Sequence, residues 1–588
     1  MNKKRVICLI LATLSATACE LVKLPEGKPV AQVSWSAEQN WTPEISAQFY
    51  HTAQGSEIVP YAWLIAVEQP LIPWSLFGEV PLFVDDSYIS RLGFLPDAKS
   101  QWNPDGLPVG FVKDEKWVNP YTGEHIVMAG LTCATCHTGQ LEVTRGDGSI
   151  VALRVDGGPA MIDLQLFEKA LGTALVLTDK LPFRFDRFAH RVLGDQYSDE
   201  TKDALKASLN KFIDAGLEEQ KLFKKHDVFP NQPGFGRVDA LNRIGNQVFG
   251  VGLNPKNLYT ANAPVAYPHL WGAGWFDYVQ YNGSVPQPLV RNVGEALGVK
   301  TPYVAKGKPE DFYKSAVHVD NLWRMEEWLS GPEAYQGLRA PAWQPTLFGE
   351  INVTTAAAGE QLYNQYCAGC HFPGGDALQQ DRVSETPQFW TAKNYRGDRL
   401  LQLVTVDLDK IGTDPKQAMD FIERQADTGD LGKGTMLAGA ALDYVTTKVT
   451  ERYFADNNIP EAVQIAWNNG HKLGADSARV IKAYKARPLD GVWATPPFLH
   501  NGSAPTIYDL LLPVDQRPTS FSLGSREFDA KKLGYATASV KHATTFDREI
   551  TGNSNGGHEF KDGAGPGVIG PMLTDDQRYA IIEYLKTL

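Results

Sequence analysis

Cysteine is scarce in this chain, with six in 588 residues. That density excludes a disulfide framework, so each cysteine has to be explained singly. Basic runs are also missing beyond the first few residues, and the net charge is -12. Nothing here would neutralise a row of phosphates, so nucleic acid is not an expected partner. After the N-terminus no stretch reaches the roughly 18 uninterrupted apolar residues that a spanning helix needs, and the mature body is expected to be soluble. Glycine and proline are plentiful, at 53 and 37, which predicts long irregular connections. At roughly 100 to 200 residues per domain, the length predicts two to four domains.

The chain opens with Lys3-Lys4-Arg5, an apolar run from Val6 to Leu14, and small residues Ser15-Ala16-Thr17-Ala18 before Cys19. This order and size predict an export signal over residues 1–18. Leu14-Ser15-Ala16-Thr17-Ala18-Cys19 also resembles a bacterial lipobox, in which Cys19 is acylated and becomes a lipid anchor. The alternative is simple cleavage after Ala18, leaving Cys19 as a free thiol, a liability in an oxidising compartment. Glu20, not being Asp, permits the outer membrane, so a periplasmic or outer-membrane lipoprotein is expected. Cys8 leaves with the signal.

The four remaining cysteines form Cys133-Ala134-Thr135-Cys136-His137 and Cys367-Ala368-Gly369-Cys370-His371. Each reads C-x-x-C-H, the attachment sequence of a c-type haem. The spacing serves the chemistry: two thiols form thioethers to the porphyrin vinyl groups, and the adjacent histidine turns its imidazole under the iron. A redox dithiol or half of a zinc site is the competing reading. Two copies in an exported chain with no spare cysteine favour two covalently bound haem c groups, with His137 and His371 as proximal ligands.

Around the second motif, Ala358, Leu362 and Tyr366 recur every four residues and predict an amphipathic helix. At the C-terminus Thr574-Asp575-Asp576-Gln577 reads as a capping box, followed by Ile581, Tyr584, Leu585 and Leu588 on one helical face. The fold expected is mainly α. Two cytochrome c-type haem domains are joined by long irregular connections: an N-terminal extension over 19–110, a first haem domain with a large insertion over 111–345, and a C-terminal cytochrome c domain over 350–588. Of 12 histidines, ten remain as candidate sixth ligands. His558, in the Gly-rich Gly552 to His558 loop just before the last helix, is placed to reach over a haem face. Met436 and Met572 are its thioether rivals. A saturated haem passes electrons, whereas an open axial position binds dioxygen or peroxide.

Six segments carry a resemblance: LPVGF (Leu107 to Phe111), GLTCATCHTGQ (Gly130 to Gln140), GRVDALNRIG (Gly236 to Gly245), YNGSVPQPLVRNVGEALG (Tyr281 to Gly298), GVWATPPFLHNGSAPTIYDLL (Gly491 to Leu511) and NSNGGHEF (Asn553 to Phe560). In this order, from about residue 60 to the end, they resemble the dihaem cytochromes similar to the rubber oxygenase RoxA, relatives of the bacterial dihaem cytochrome c peroxidases and MauG. The resemblance implies that His558 closes the second haem and that the first, on His137, is the reaction site. The peroxidases have a Met after the segment resembling TPPFLHNGS. This chain has Leu511-Leu512-Pro513-Val514 there, which favours His/His ligation of the second haem. The family also places aromatics between its haems. Trp271, Trp275, Phe276, Tyr278 and Tyr281 cluster in the matching region, with Trp275 and Tyr281 taken as the inter-haem candidates and packing in a core as the competing role. Arg237, Arg243 and Arg291 lie in matched segments as candidate partners for haem propionates, with surface ion pairs as the alternative. A structural hydrogen bond is expected of His500.

Three functions follow as expectations. The first is an enzyme in which the first haem activates peroxide or dioxygen and the second exchanges electrons with a periplasmic donor or acceptor; the chain is more than twice as long as two bare cytochrome modules need. The second is a pure electron-transfer lipoprotein, with His125 or another histidine closing the first haem. The third is oxidative cleavage of a polyisoprene-like polymer.

Overall fold

The computed structural model describes residues 22–588 apart from 28, 37, 71–80, 287, 395–396 and 475–476. The export signal, Cys8 and Cys19 lie outside the described residues. Among these, no helix is long and apolar enough to cross a membrane.

The chain begins with β1 (Gln32–Trp35), α1 (Pro43–His51), β2 (Val59–Pro60), β3 (Phe111–Asp114), β4 (Met128–Leu131), β5 (Thr138–Thr144) and β6 (Ile150–Asp156). One sheet has the order β2-β4-β3 and is antiparallel; the other has the order β1-β6-β5. In the latter, β1 runs parallel to β6, and β5 runs antiparallel with Thr138 opposite Asp156. Every residue of the central strand β6 is buried, which its apolar run Ile150-Val151-Ala152-Leu153 allows. The first C-x-x-C-H hangs between the sheets. β4 ends at Leu131, Cys133–Thr135 make one 3₁₀ turn, and β5 starts directly after His137.

Three helices follow: α2 (Leu164–Lys180), α3 (Pro182–Leu193) and α4 (Asp199–Lys225). Their starts are legible locally. The Asp163 carboxylate accepts from Leu166 N–H, Pro182 sits in the first turn of α3, and Ser198 with Thr201 forms a reciprocal cap. Phe167 and Phe188 bury against Leu64, Phe83, Phe94 and Phe111, so the helical insert is a wall of the N-terminal core. Further on come α5 (Pro288–Gly298), α6 (Val319–Ser330), α7 (Val353–Tyr366), β7 (Thr405–Asp407), α8 (Ala438–Asp456), β8 (Ala483–Lys485) and α9 (Asp575–Leu585). Leu289, Val293 and Leu297 of α5 pack with Leu322 of α6 and with Ala441 and Val445 of α8. A second core joins Leu141 and Leu153 of the N-terminal sheet to Trp493, Phe498 and Ile582. Hydrophobic packing therefore runs across residues 345–350.

The first and last helices of the C-terminal region, α7 and α9, cross. They meet at Gly359, where any Cβ would lie 1.8 Å from the Ala580 carbonyl oxygen, so only glycine lets the backbones approach this closely. The buried line on α7 is Ala356, Gly359 and Tyr363, with Ala358 exposed. Of the expected Ala358, Leu362 and Tyr366, the latter two are half-buried against the core, and the small residues Ala356 and Gly359 face the helix crossing instead of Ala358. The α9 cap forms as expected, Gln577 N–H donating to Thr574 Oγ1 and Thr574 N–H to Gln577 Oε1.

The mainly α expectation holds in part: helix, at 40%, exceeds strand, at 14%, but the fold is mixed α/β. The β-branched and apolar runs flanking the first motif build sheets where helices were expected, because tertiary burial on both faces favours strand there.

Candidate functional site

The two C-x-x-C-H segments are held in different local structures. The first lies on the 3₁₀ turn between β4 and β5; the second continues α7 through the short helix Ala368–His371. Their histidines are nevertheless fixed alike. His137 Nδ1–H donates to the Pro268 carbonyl at 2.8 Å, and His371 Nδ1–H donates to the Arg487 carbonyl at 2.8 Å. A carbonyl can only accept, so each ring carries its proton on Nδ1 and leaves the Nε2 lone pair for a metal. Burial holds both imidazoles below the usual histidine range, His137 at about 4, so both rings are neutral at pH 7.

His558 faces His371. The ring centroids are 6.1 Å apart and the planes are inclined by 63°. With metal–imidazole bonds of about 2.0–2.1 Å and a ring centre about 1.1 Å behind the nitrogen, two imidazoles on opposite faces of one ion have centroids about 6.2 Å apart. His558 is desolvated to about 3, and its buried Nδ1 has no hydrogen-bond partner.

The Gly-rich loop that carries it is pinned along most of its length. Arg517, 3% exposed, donates to the carbonyls of Asn555, Gly557 and His558 and, on the other side, to those of Leu510 and Leu512. Asn501 Nδ2 donates to the Gly552 and Ser554 carbonyls, and Ser554 N–H donates to Asp414. His558 N–H donates to the Ile411 carbonyl at 3.0 Å. The histidine itself is held at φ +47°, a left-handed conformation that costs roughly 1–2 kcal/mol in isolation.

No comparable ring stands against His137 among the described residues. Its aromatic neighbour is Tyr267, edge-on at 6.5 Å. His125 is exposed on the surface and donates through Nε2 to the Glu115 carbonyl, so it does not close the first site. Met572 is 47% exposed. Met436 lies in the strand Thr435–Leu437, half-buried against the core shared by α5 and α8. His500 is structural, as expected: its ring stacks on Tyr484 at 4.1 Å and its carbonyl accepts from Ala266 N–H.

Four observations test whether these residues fit a haem. All four thiols are unpaired, and burial pushes Cys133, Cys136 and Cys367 up to about 12. This is the reverse of the lowered thiol of a redox dithiol. No group of three or more His, Cys, Asp or Glu side chains converges as a cation site among the described residues, so a closed zinc site lacks its ligands. The four cysteines, His137, His371 and His558 are all half-buried, and burial also shifts six of these seven groups. The donor set and its surroundings fit haem c.

The two sites share a scaffold that sequence reading did not find. Trp271 Nε1–H donates to the Asp490 carbonyl at 2.8 Å, joining residues 268–271, which anchor His137, to residues 487–490, which anchor His371. Trp271 also stacks on His269 at 4.3 Å. Two short segments 219 residues apart leave no local signal of this. Of the aromatics singled out earlier, Trp275 donates to the Ser330 carbonyl and packs in a cluster with Phe372, the residue after His371. Tyr281 donates to the Ala266 carbonyl and stands edge-on to His500 at 6.2 Å. Neither forms the link.

The candidate propionate partners are engaged with protein groups. Arg237 is buried and donates to Asn553 Oδ1 and the Pro233 carbonyl, so it helps hold the His558 loop. Arg243 pairs with Glu168, and Arg291 with Glu326.

Comparison with known proteins agrees with this chemistry. Residues 483–522 match the family described as RoxA-like, cytochrome c-like. The chain is 43% identical over 589 residues to the uncharacterized protein y4iJ of Sinorhizobium fredii (strain NBRC 101917 / NGR234), covering 96% of this chain and 95% of that protein. A second protein of the same organism, the uncharacterized protein y4iM, is 28% identical over 336 residues, covering 54% of this chain and 63% of that one. Residues 483–522 resemble a RoxA-like, cytochrome c-like domain, which points to haem-based chemistry, and the chain belongs to one family with y4iJ.

Proposed function

We propose that this chain is an exported dihaem c-type oxidoreductase in which the His137 site activates peroxide or dioxygen and the His371 site transfers electrons. The observation that carries the reading is an asymmetry: His371 has a facing imidazole at 6.1 Å, and His137 has none among the described residues. Haem c bound at these motifs supplies one-electron chemistry and, where an axial position is open, a place for a small oxidant. The chain's own contribution is orientation. The Pro268 and Arg487 carbonyls fix the imidazole tautomers, and Arg517 and Asn501 hold the loop that presents His558. The Trp271–Asp490 hydrogen bond gives electrons a short covalent and hydrogen-bonded route between the sites. In this reading 111–345 and 350–588 are the two haem regions, Cys19 carries a lipid anchor, and the partner is a periplasmic electron donor or acceptor.

Optical and EPR spectra of the loaded protein test it. One high-spin or oxygen-bound haem beside one low-spin haem is expected, with the former responding to cyanide, carbon monoxide or peroxide. Two low-spin haems inert to all three would replace it by electron transfer alone.

A further inference from the structure

Strand β8 ends in Lys485, and the extended chain continues through Ala486 to Arg487. Lys485 pairs with Thr405 of β7, and Ala486 N–H donates to the Val404 carbonyl. Side chains two apart on extended backbone point the same way, so Lys485 and Arg487 share one side while Tyr484, opposite, stacks on His500. Both are half-buried. Among the described residues Lys485 Nζ makes no hydrogen bond or ion pair. Arg487 reaches the Trp271 carbonyl at a long 3.5 Å and lies 5.4 Å from the Phe276 ring centre, and its buried Nε has no acceptor.

Burial, and after it the charges of Arg487 and Arg291, hold the Lys485 ammonium well below the usual lysine range, and Asp277 opposes them. The Asp277 carboxylate is already occupied by the backbone N–H groups of Leu403 and Tyr278. Arg291 is matched by Glu326, and among the described residues no carboxylate pairs with Lys485 or Arg487. Unpaired, a buried ammonium is disfavoured and tends to lose its proton; an anion seated on this side would hold Lys485 protonated and offset the cost of burying both charges. Its position is defined by its neighbours. The Arg487 carbonyl anchors His371, its guanidinium touches the segment that anchors His137, and its charge acts on His137 and His269.

We propose that Lys485 and Arg487 form one seat for the propionate carboxylates of both haems, a role that the engaged Arg237, Arg243 and Arg291 do not fill. This rests on the dihaem reading, and a carboxylate pair held by shared cations would couple the two reduction potentials.

The test uses the full chain matured with haem c. Pyridine haemochrome analysis of the wild type comes first, and fewer than two haems per chain would sink the dihaem reading itself. Spectroelectrochemical titration then compares Lys485→Met and Lys485→Arg. Removing a cation disfavours the reduced iron, so Lys485→Met should lower the reduced-to-oxidised ratio at fixed potential about tenfold at both haems, a shift of about 59 mV for one electron, with Lys485→Arg restoring it. Two haems with unchanged potentials, or a shift at one haem only, would overturn the shared seat. If Lys485→Met fails to retain haem, a Lys485→Arg protein with two haems and wild-type potentials supports the role of charge. Loss of haem in both variants assigns Lys485 to packing and overturns the proposal.

Discussion

Arg517 is the residue on which the position of His558 depends most. It donates to five backbone carbonyls, three of them in the His558 loop. Burial lowers its pKa to about 10, which leaves it charged at pH 7. Hydrogen bonds to a charged group contribute about 1.5–3 kcal/mol each, but five from one side chain do not add. For Arg517→Met we expect a total loss of about 3–5 kcal/mol, the range for breaking a buried charged network. About 2–3 kcal/mol of this falls on the loop, which must also hold His558 at φ +47°. At about 1.4 kcal/mol per tenfold, the His558-facing population falls roughly 30- to 100-fold. In the haem-loaded variant, the low-spin EPR and optical signature of the His371 haem should give way to a high-spin one. Added imidazole should restore the low-spin form, and Arg517→Lys should fall between. A loaded Arg517→Met protein with an unchanged low-spin spectrum would refute the reasoning.

Further outcomes follow from other parts of the fold. Replacing Cys367 and Cys370 together by Ser should leave one covalent haem per chain, read by haem staining after denaturing electrophoresis and by haemochrome stoichiometry. Gly359→Val drives a side chain into the Ala580 carbonyl and should cost about 3 kcal/mol or more, seen as a lower denaturation midpoint. Asp239 is raised from 3.8 to about 6, chiefly by burial, so the folded state binds its proton more tightly than the unfolded state. Its contribution is therefore fully present below about pH 4 and is lost as pH rises through about 6. That loss is about 3 kcal/mol by about pH 7. Urea denaturation at pH 4 and pH 7 should show that loss in the wild type and not in Asp239→Asn; equal slopes in both would remove Asp239 as the cause.

Local chemistry made much of this legible. The two C-x-x-C-H motifs, the cap at Thr574 and the late histidine all announce themselves within a few residues, because thioether attachment and helix capping are short-range demands. The sheets beside the first motif did not, since a short apolar run is compatible with buried helix or buried strand until its neighbours are known. The protein partners of the arginines were hidden for a related reason. Arg237, Arg243 and Arg291 lie in matched segments, yet Asn553, Glu168 and Glu326 occupy them. Lys485 and Arg487, by contrast, have no carboxylate partner among the described residues, and that depends on what surrounds them in the fold.

By itself the sequence determined the cofactor chemistry, since covalent attachment needs two thiols and an imidazole at fixed spacing on one stretch of chain. Tertiary structure alone decided how the sites relate. It brings His558 to His371, joins Pro268–Trp271 to Arg487–Asp490 through an indole hydrogen bond, and leaves two cations on one side of an extended segment. Those relations join residues up to 219 positions apart. Packing sets such distances, and no local spacing encodes them.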